Sequence, residues 1–267
     1  MDERVSGGLP FFSFNLFSKG KEVFQAITTR IGGVSPPPFD SLNLDVNGGD
    51  SPENVMENYQ LLSNALGFEL DTLVTCKQVH GDRVIEVRRE DRMNCSFLHC
   101  REEADAMVTR DPGLFLMVRI ADCIPVMFFD PCKKVVGIAH IGWRGALKKI
   151  AMKTGKFLID KYNSDPATIL TGIGPCIAPC CYEVDKKVGS LFRKSFSYGD
   201  TLIEKRGGRS FLNLWEANRR QLMETGIREE NIELANLCTS CHSHIFFSHR
   251  KEKGRTGRFC ALIGIRG

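Results

Sequence analysis

The stretch ADCIPVMFFDPCKKVVGIAHIGWRG, Ala121–Gly145, sets Asp122 and Cys123 at the front of one apolar, strand-like run and His140 at the end of the next. The turn Gly142-Trp143-Arg144-Gly145 follows at once and opens a helical pattern. Strand, strand, turn and helix in this order bring chemically able side chains to neighbouring strand ends. A thiolate and an imidazole placed there can share a metal ion, or can act as a nucleophile and its base. Both options stay open on the residues alone.

Working outward, the pattern is rich in strands. Runs of suitable length and composition cover Val23–Thr29, Leu73–Lys77, Arg83–Val87, Asp105–Thr109, Leu114–Ile120, Pro125–Phe129, Val135–His140, Thr168–Ile173, Ser210–Asn213, Ile232–Leu237 and Phe259–Ile265. Ser51-Pro52-Glu53 is a helix start, with a capping hydroxyl, proline at the first turn and an acid at the positive dipole end. Val55, Tyr59, Leu62 and Leu66 then share one face, and Gly67 ends the helix. Further helices are predicted over 146–162, 184–196 and 214–225, and a polar surface excursion over 88–103. Strands outnumber helices and do not alternate with them. The fold class is therefore α/β: one domain, an α/β sandwich with mixed or antiparallel sheets flanked by helices.

Composition narrows the function classes. With 267 residues, 42% apolar and 25% charged, the chain suits a soluble globular protein with a sizeable core. The net charge of +4 is mild and its basic residues are scattered, which favours small anionic substrates and no nucleic acid. The most apolar window, 113–129, is interrupted by Arg119 and Asp122, so no membrane span is expected. The N-terminus lacks the basic and apolar regions of a secretory signal, which makes the expected compartment cytoplasmic. There, eleven cysteines are expected as buried thiols, ligands or nucleophiles instead of disulfides. Oligomeric state is open.

Three constellations carry possible chemistry. His80, before Gly81, joins Cys123 and His140 as a scattered set whose spacing matches no compact zinc finger. Such a set suits a catalytic zinc site with one open position; the alternative is a core thiol with two hydrogen-bonded histidines. Arg144 in its glycine turn suits a phosphate or carboxylate, or is simply a solvated side chain beside a packed tryptophan. The loop Gly172–Cys176, with Cys180-Cys181-Tyr182-Glu183 after it, reads as a packed loop that could hold a reactive thiol. Cys238-Thr239-Ser240-Cys241-His242 matches the attachment pattern of c-type haem. Haem attachment requires export, so a buried turn is expected, with a local zinc site using His244 as the other option.

Several stretches together resemble one family. They are Thr28–Ser35, Ser41–Leu44, Gln78–Gly81, Ala104–Ala106, Ala121–Val126, Ala139–Gly145, Gly174–Ile177, Cys181–Val184, Phe246–Arg250 and Thr256–Arg258. The series is similar to the laccase-domain family, also called multicopper polyphenol oxidase or peptidoglycan editing factor and described as zinc-dependent purine nucleoside phosphorylases. The resemblance runs from about residue 23 to the C-terminus. It implies zinc held by His80, Cys123 and His140, phosphorolysis of adenosine, inosine, guanosine and methylthioadenosine, and deamination of adenosine. It implies partners limited to purine nucleosides and phosphate, with Cys123, His140 and Arg144 catalytic and Arg30, Asn43 and Gln78 in substrate-binding motifs. The run Asp45–Asp50 departs from the family pattern, and Cys95, Cys100, Cys132 and Cys241 are not family features.

Other functions compete. The family's fold resembles that of the cytotoxic necrotising toxins, so Cys123 and His140 could form a metal-free hydrolase that edits peptidoglycan precursors. A multicopper oxidase needs many imidazoles over several centres, and six histidines are too few. A zinc-stabilised binding module would unfold when its metal is removed.

Overall fold

The computed structural model describes residues 1–19, 22–93 and 102–267. Cys95, Cys100 and the middle of the predicted surface excursion, 94–101, lie outside the described residues. Two six-stranded sheets dominate. Edge to edge, the first runs Asp2–Ser6, Leu9–Ser13, Val23–Thr28, Phe259–Ile265, Phe115–Ile120 and Leu73–Val74. The second runs Ile232–Leu234, Leu170–Ile173, Ile124–Asp130, Val135–Ile141, Ala106–Thr109 and Val84–Glu86. Most neighbours are antiparallel, but three pairs at the sheet edges are parallel. The sheets are thus mixed, as expected.

Alternation along the strands explains the layers. In the strand Val135–Ile141, Val136 and Ile138 join a core shared with Leu116, Val118, Ala261 and Ile263 of the first sheet. Val135, Ala139 and Ile141 point the other way, onto Ile150, Ala151 and Leu158 of a helix. On the far side of the first sheet, Ala26, Met117 and Leu262 meet Val55, Tyr59 and Leu62 of the helix Pro52–Leu66. The result is helix, sheet, sheet, helix. Strands covered on both faces read as unbroken apolar runs, which is why 124–130 and 135–141 are buried throughout. Each large apolar side chain sealed there contributes about 1.5–3 kcal/mol.

Local signals set the element ends. Ser51 caps the helix Pro52–Leu66 by accepting from the Asn54 amide, and Gly67 ends it at φ 73°. The predicted helix over 146–162 is a correction: it is two pieces, Trp143–Leu147 and Ile150–Tyr162, with Lys149 between them at φ 62°. Leu147 and Ile150 both pack inward, so the apolar period runs through a break that it cannot reveal. The strand predicted over 73–77 stops at Val74, and Lys77 makes only an isolated bridge to Glu103. Beyond it the Gln78 side chain substitutes for backbone, donating to the Arg119 carbonyl at 2.9 Å and accepting its amide at 2.9 Å. The helices predicted over 184–196 and 214–225 are Lys186–Ser195 and Leu214–Met223, capped by Asp185 and Asn213. The hairpin Asp2–Ser6/Leu9–Ser13 and the strand Ile203–Arg206 went unpredicted.

Buried Asn58 ties the helix Pro52–Leu66 to the loop ahead of it. Its amide donates to Ser35 Oγ (2.8 Å) and to the carbonyls of Ser41 (3.2 Å) and Asn43 (3.0 Å), while its oxygen accepts the Val34 amide (2.9 Å). Asn58→Ala strands several buried polar groups and is expected to cost about 2–3 kcal/mol, seen as a lower denaturation midpoint at unchanged slope.

Candidate active site

A cavity of about 530 Å³ opens where strand ends of both sheets meet, a size suited to a small-molecule ligand. His80, Cys123 and His140 lie on its wall, and one ligand atom from each falls within 4.8 Å of the others. Cys123 Sγ is 3.8 Å from His80 Nε2, and the two imidazole centroids are 4.9 Å apart at 82°. Two donors on a tetrahedral zinc sit about 3.4–3.6 Å apart, from bond lengths near 2.05 Å to nitrogen and 2.3 Å to sulfur. The three side chains therefore fit a common ion with small adjustment.

Backbone conformation aims these groups. His80 (φ 58°) and the residue before Cys123, Asp122 (φ 85°), both adopt left-handed geometry, which costs free energy and persists only under strong local restraint. At His80 the restraint is Asp105. This fully buried carboxylate accepts the amides of Val79 (3.2 Å), His80 (3.0 Å) and Gly81 (2.6 Å). It also holds His140 Nδ1 at 2.8 Å, which leaves His140 Nε2 as that ring's free ligand atom. At Asp122, the side chain accepts Thr239 Oγ1 (2.6 Å), Ser248 Oγ (2.7 Å) and the Arg250 amide (2.7 Å). Gly142 completes the enclosure: a Cβ there would sit 3.0 Å from His80 Cδ2 and 3.2 Å from Cys123 Sγ.

Charge follows geometry. Burial alone would raise the Cys123 thiol, but the charge and hydrogen bonds of His140 and His80 outweigh it and bring the thiol down to about 6. Burial alone would lower His140, but Cys123 and Asp105 outweigh it and push the imidazole up. Burial works against Asp105 as well, yet its bonds to His140 and to backbone amides hold it below the usual carboxylate range. The metal-free site thus favours thiolate beside imidazolium. That pair can bind a cation after losing the imidazolium proton, or attack an electrophile.

The other predicted residues fare differently. Arg144 is on the cavity wall, exposed, its guanidinium 4.3 Å over the Trp143 ring, and it makes no ion pair among the described residues. Gln78 lines the cavity with its amide committed to Arg119. Arg30 is not brought there: it is spent on the carbonyls of Asp40 and Ser243 and on Glu252, above the Phe247 ring. Asn43 is fully buried behind the wall, where its oxygen accepts the amides of Asp45 (3.0 Å) and Arg258 (2.9 Å). Asp45 and Arg258 themselves line the cavity, so Asn43 positions wall residues instead of forming the wall. Sequence reasoning gave no role to Asp105, Asp122, Arg250 or Arg258. The signal for Asp105 was present, an acid at the start of a buried strand.

In metal-free protein, alkylation of Cys123 by iodoacetamide should speed up as pH rises through about 6, where an ordinary thiol responds near 9.0; His140→Ala should move that midpoint upward. Asp105→Asn removes the charge that orients His140 and is expected to weaken metal binding about 10–100-fold in competition with a chromophoric chelator.

The profile of the family described as multi-copper polyphenol oxidoreductase laccase matches residues 24–266. The chain is 38% identical over 244 residues to purine nucleoside phosphorylase YlmD of Geobacillus stearothermophilus, covering 90% of this chain and 89% of that one. It is 35% identical over 249 residues to purine nucleoside phosphorylase YlmD of Bacillus subtilis, covering 92% and 90%. The crystal structure of YlmD from Geobacillus stearothermophilus superposes with a TM-score of 0.91 at 34% identity, covering 100% of this chain and 98% of that one.

Proposed function

The chain belongs to the family described as multi-copper polyphenol oxidoreductase laccase, and from that premise we propose that it is a one-domain, zinc-dependent purine nucleoside phosphorylase that also deaminates adenosine. The observation that carries this reading is the convergence of His80, Cys123 and His140 on a cavity of nucleoside size, in a chain whose relatives are named purine nucleoside phosphorylases. The copper chemistry in the family's descriptive name is not favoured. Among the described residues, two imidazoles and one sulfur meet at this cluster, a donor set that suits zinc.

His80, Cys123 and His140 would hold the ion, and Asp105 would fix the His140 ring in the tautomer that binds it. Zinc, when bound, supplies Lewis acidity and a water acidified toward neutral pH. In phosphorolysis a phosphate oxygen forms a bond to ribose C1′ as the bond from C1′ to purine N9 breaks. The products are ribose 1-phosphate and the neutral free base, which takes up the proton that the attacking phosphate gives up. Arg144 would bind and orient the phosphate through paired N–H donors. Arg250 and Arg258 on the same wall add positive potential. In deamination, water adds at purine C6 and ammonia leaves. The substrate range proposed is adenosine, inosine, guanosine and methylthioadenosine.

A specific observation favours a second reading. Asp105, His140 and Cys123 form an acid, base and thiolate series like that of a cysteine hydrolase, for which peptidoglycan precursors are the substrate class proposed. Such an enzyme would keep working after chelation.

Alanine at His80, Cys123 or His140 is expected to abolish both bound zinc and phosphorolysis of inosine, measured by metal analysis and by release of hypoxanthine. Full activity in all three variants would refute the proposal. Arg144→Ala loses a charged contact worth about 1.5–3 kcal/mol and should raise the KM for phosphate roughly 10–100-fold while zinc content stays constant.

A further inference from the structure

Four cysteine sulfurs converge at a second place, behind one wall of the cavity. Cys180 and Cys181 follow the strand Leu170–Ile173, and Cys238 and Cys241 follow the strand Ile232–Leu234. These strands are parallel neighbours, so their following loops leave the sheet side by side. The pairing persists into the loops as a bridge between Cys176 and Cys238. The Cys176 amide donates to the Leu237 carbonyl (3.3 Å), and the Thr239 amide to the Cys176 carbonyl (2.9 Å).

This arrangement corrects the sequence reading of the Cys238–His242 segment. The sequence predicts a buried turn; Cys238 is buried but Cys241 is exposed, and both thiols face Cys180 and Cys181. The His242 ring is occupied with the Cys238 carbonyl at 2.9 Å. All four sulfurs lie within 4.8 Å of one another, with Cys241 Sγ at 3.5 Å from Cys180 Sγ and 3.4 Å from Cys181 Sγ. Sulfurs bound tetrahedrally to zinc at 2.3 Å are about 3.8 Å apart, so the two short contacts need to open by only a few tenths of an ångström. The sulfurs converge on one point and do not sort into two pairs. Cys241 is almost equally close to two neighbours, whereas a disulfide needs one partner at bonding distance. The Ala178 amide also donates to Cys238 Sγ at 3.4 Å, which fixes that sulfur toward the cluster.

We propose that Cys180, Cys181, Cys238 and Cys241 form a second zinc site, closed and structural, that clamps these two loops together. A tetrahedral set of four sulfurs suits zinc, and four protein ligands leave no position for substrate. The clamp lies where it supports the catalytic cavity. Ile177 and Tyr182, on the first loop, line that cavity. The Ile177 amide donates to the Asp122 carbonyl (3.0 Å), and Thr239 of the second loop holds the Asp122 carboxylate. Both loops therefore brace the left-handed turn that presents Cys123. The proposal stands on the four sulfurs and does not depend on the reaction catalysed.

The test is metal content of full-length protein purified with zinc under reducing conditions. Wild type should hold about two zinc ions per chain, and the His80→Ala/Cys123→Ala/His140→Ala variant about one. Adding Cys180→Ser and Cys241→Ser to that variant should remove the remaining ion. Cobalt replacing zinc in the three-alanine variant should show intense sulfur-to-cobalt charge transfer. Cys241→Ser alone, checked for an unchanged circular dichroism spectrum, should lower that intensity by about a quarter, one thiolate of four. A three-alanine variant that is folded but metal-free, or that holds iron, would overturn the proposal. So would a disulfide between Cys241 and Cys180 or Cys181 in protein kept reduced.

Discussion

One buried carboxylate organises the candidate site. Asp105 accepts three successive backbone amides, from Val79 to Gly81, and the Nδ1 proton of His140. The same two oxygens thereby hold His80 in a left-handed turn and set the orientation of the second imidazole. Because Asp105 has no exposure, any partner it lost would leave an unsatisfied buried group. Oδ1 alone accepts from both the His80 amide and His140 Nδ1, so the two histidines are tied to one atom. Cys123 completes the set from the other direction, where Asp122 makes an equivalent web with Thr239, Ser248 and Arg250.

The sandwich explains why such distant residues meet. The second sheet carries Cys123, just ahead of Ile124, and His140 on adjacent antiparallel strands, where Pro125 is directly opposite His140. Asp105 precedes Ala106 on the next strand, and Ala106 pairs with Ala139. Three neighbouring strands of one sheet thus supply the thiol, the imidazole and the carboxylate that steers it. The first sheet supplies Arg119, whose backbone anchors Gln78, two residues before His80. Rigid strand ends suit a site whose donors must hold position to fractions of an ångström.

Much of this was legible in the chain. The doubly buried runs at 124–130 and 135–141 announced central strands, and Ser51-Pro52 with Gly67 marked a helix almost to the residue. His80, Cys123 and His140 stood out as polar groups where strand patterns end. What escaped notice has identifiable causes. The break at Lys149 leaves apolar spacing intact on both sides, so periodicity passes over it. The strand Asp2–Ser6 is an exposed edge with no apolar face to read. Arg30 and Asn43 sit in motifs of the right family, yet their polar atoms face loops and wall residues and not the cavity. A motif marks a position that matters without saying whether it touches substrate or supports what does. The four sulfurs of Cys180, Cys181, Cys238 and Cys241 escaped for a related reason: half of the set lies about sixty residues from the other half, and only the parallel pairing of two short strands joins them.

The most direct test of the account is anomalous diffraction at the zinc absorption edge on crystals grown with zinc. It predicts a peak about 2.0–2.1 Å from the imidazole nitrogens of His80 and His140 and about 2.3 Å from Cys123 Sγ, with the fourth position turned toward the cavity. No peak within reach of these three atoms, or a fourth protein ligand closing the position, would contradict it.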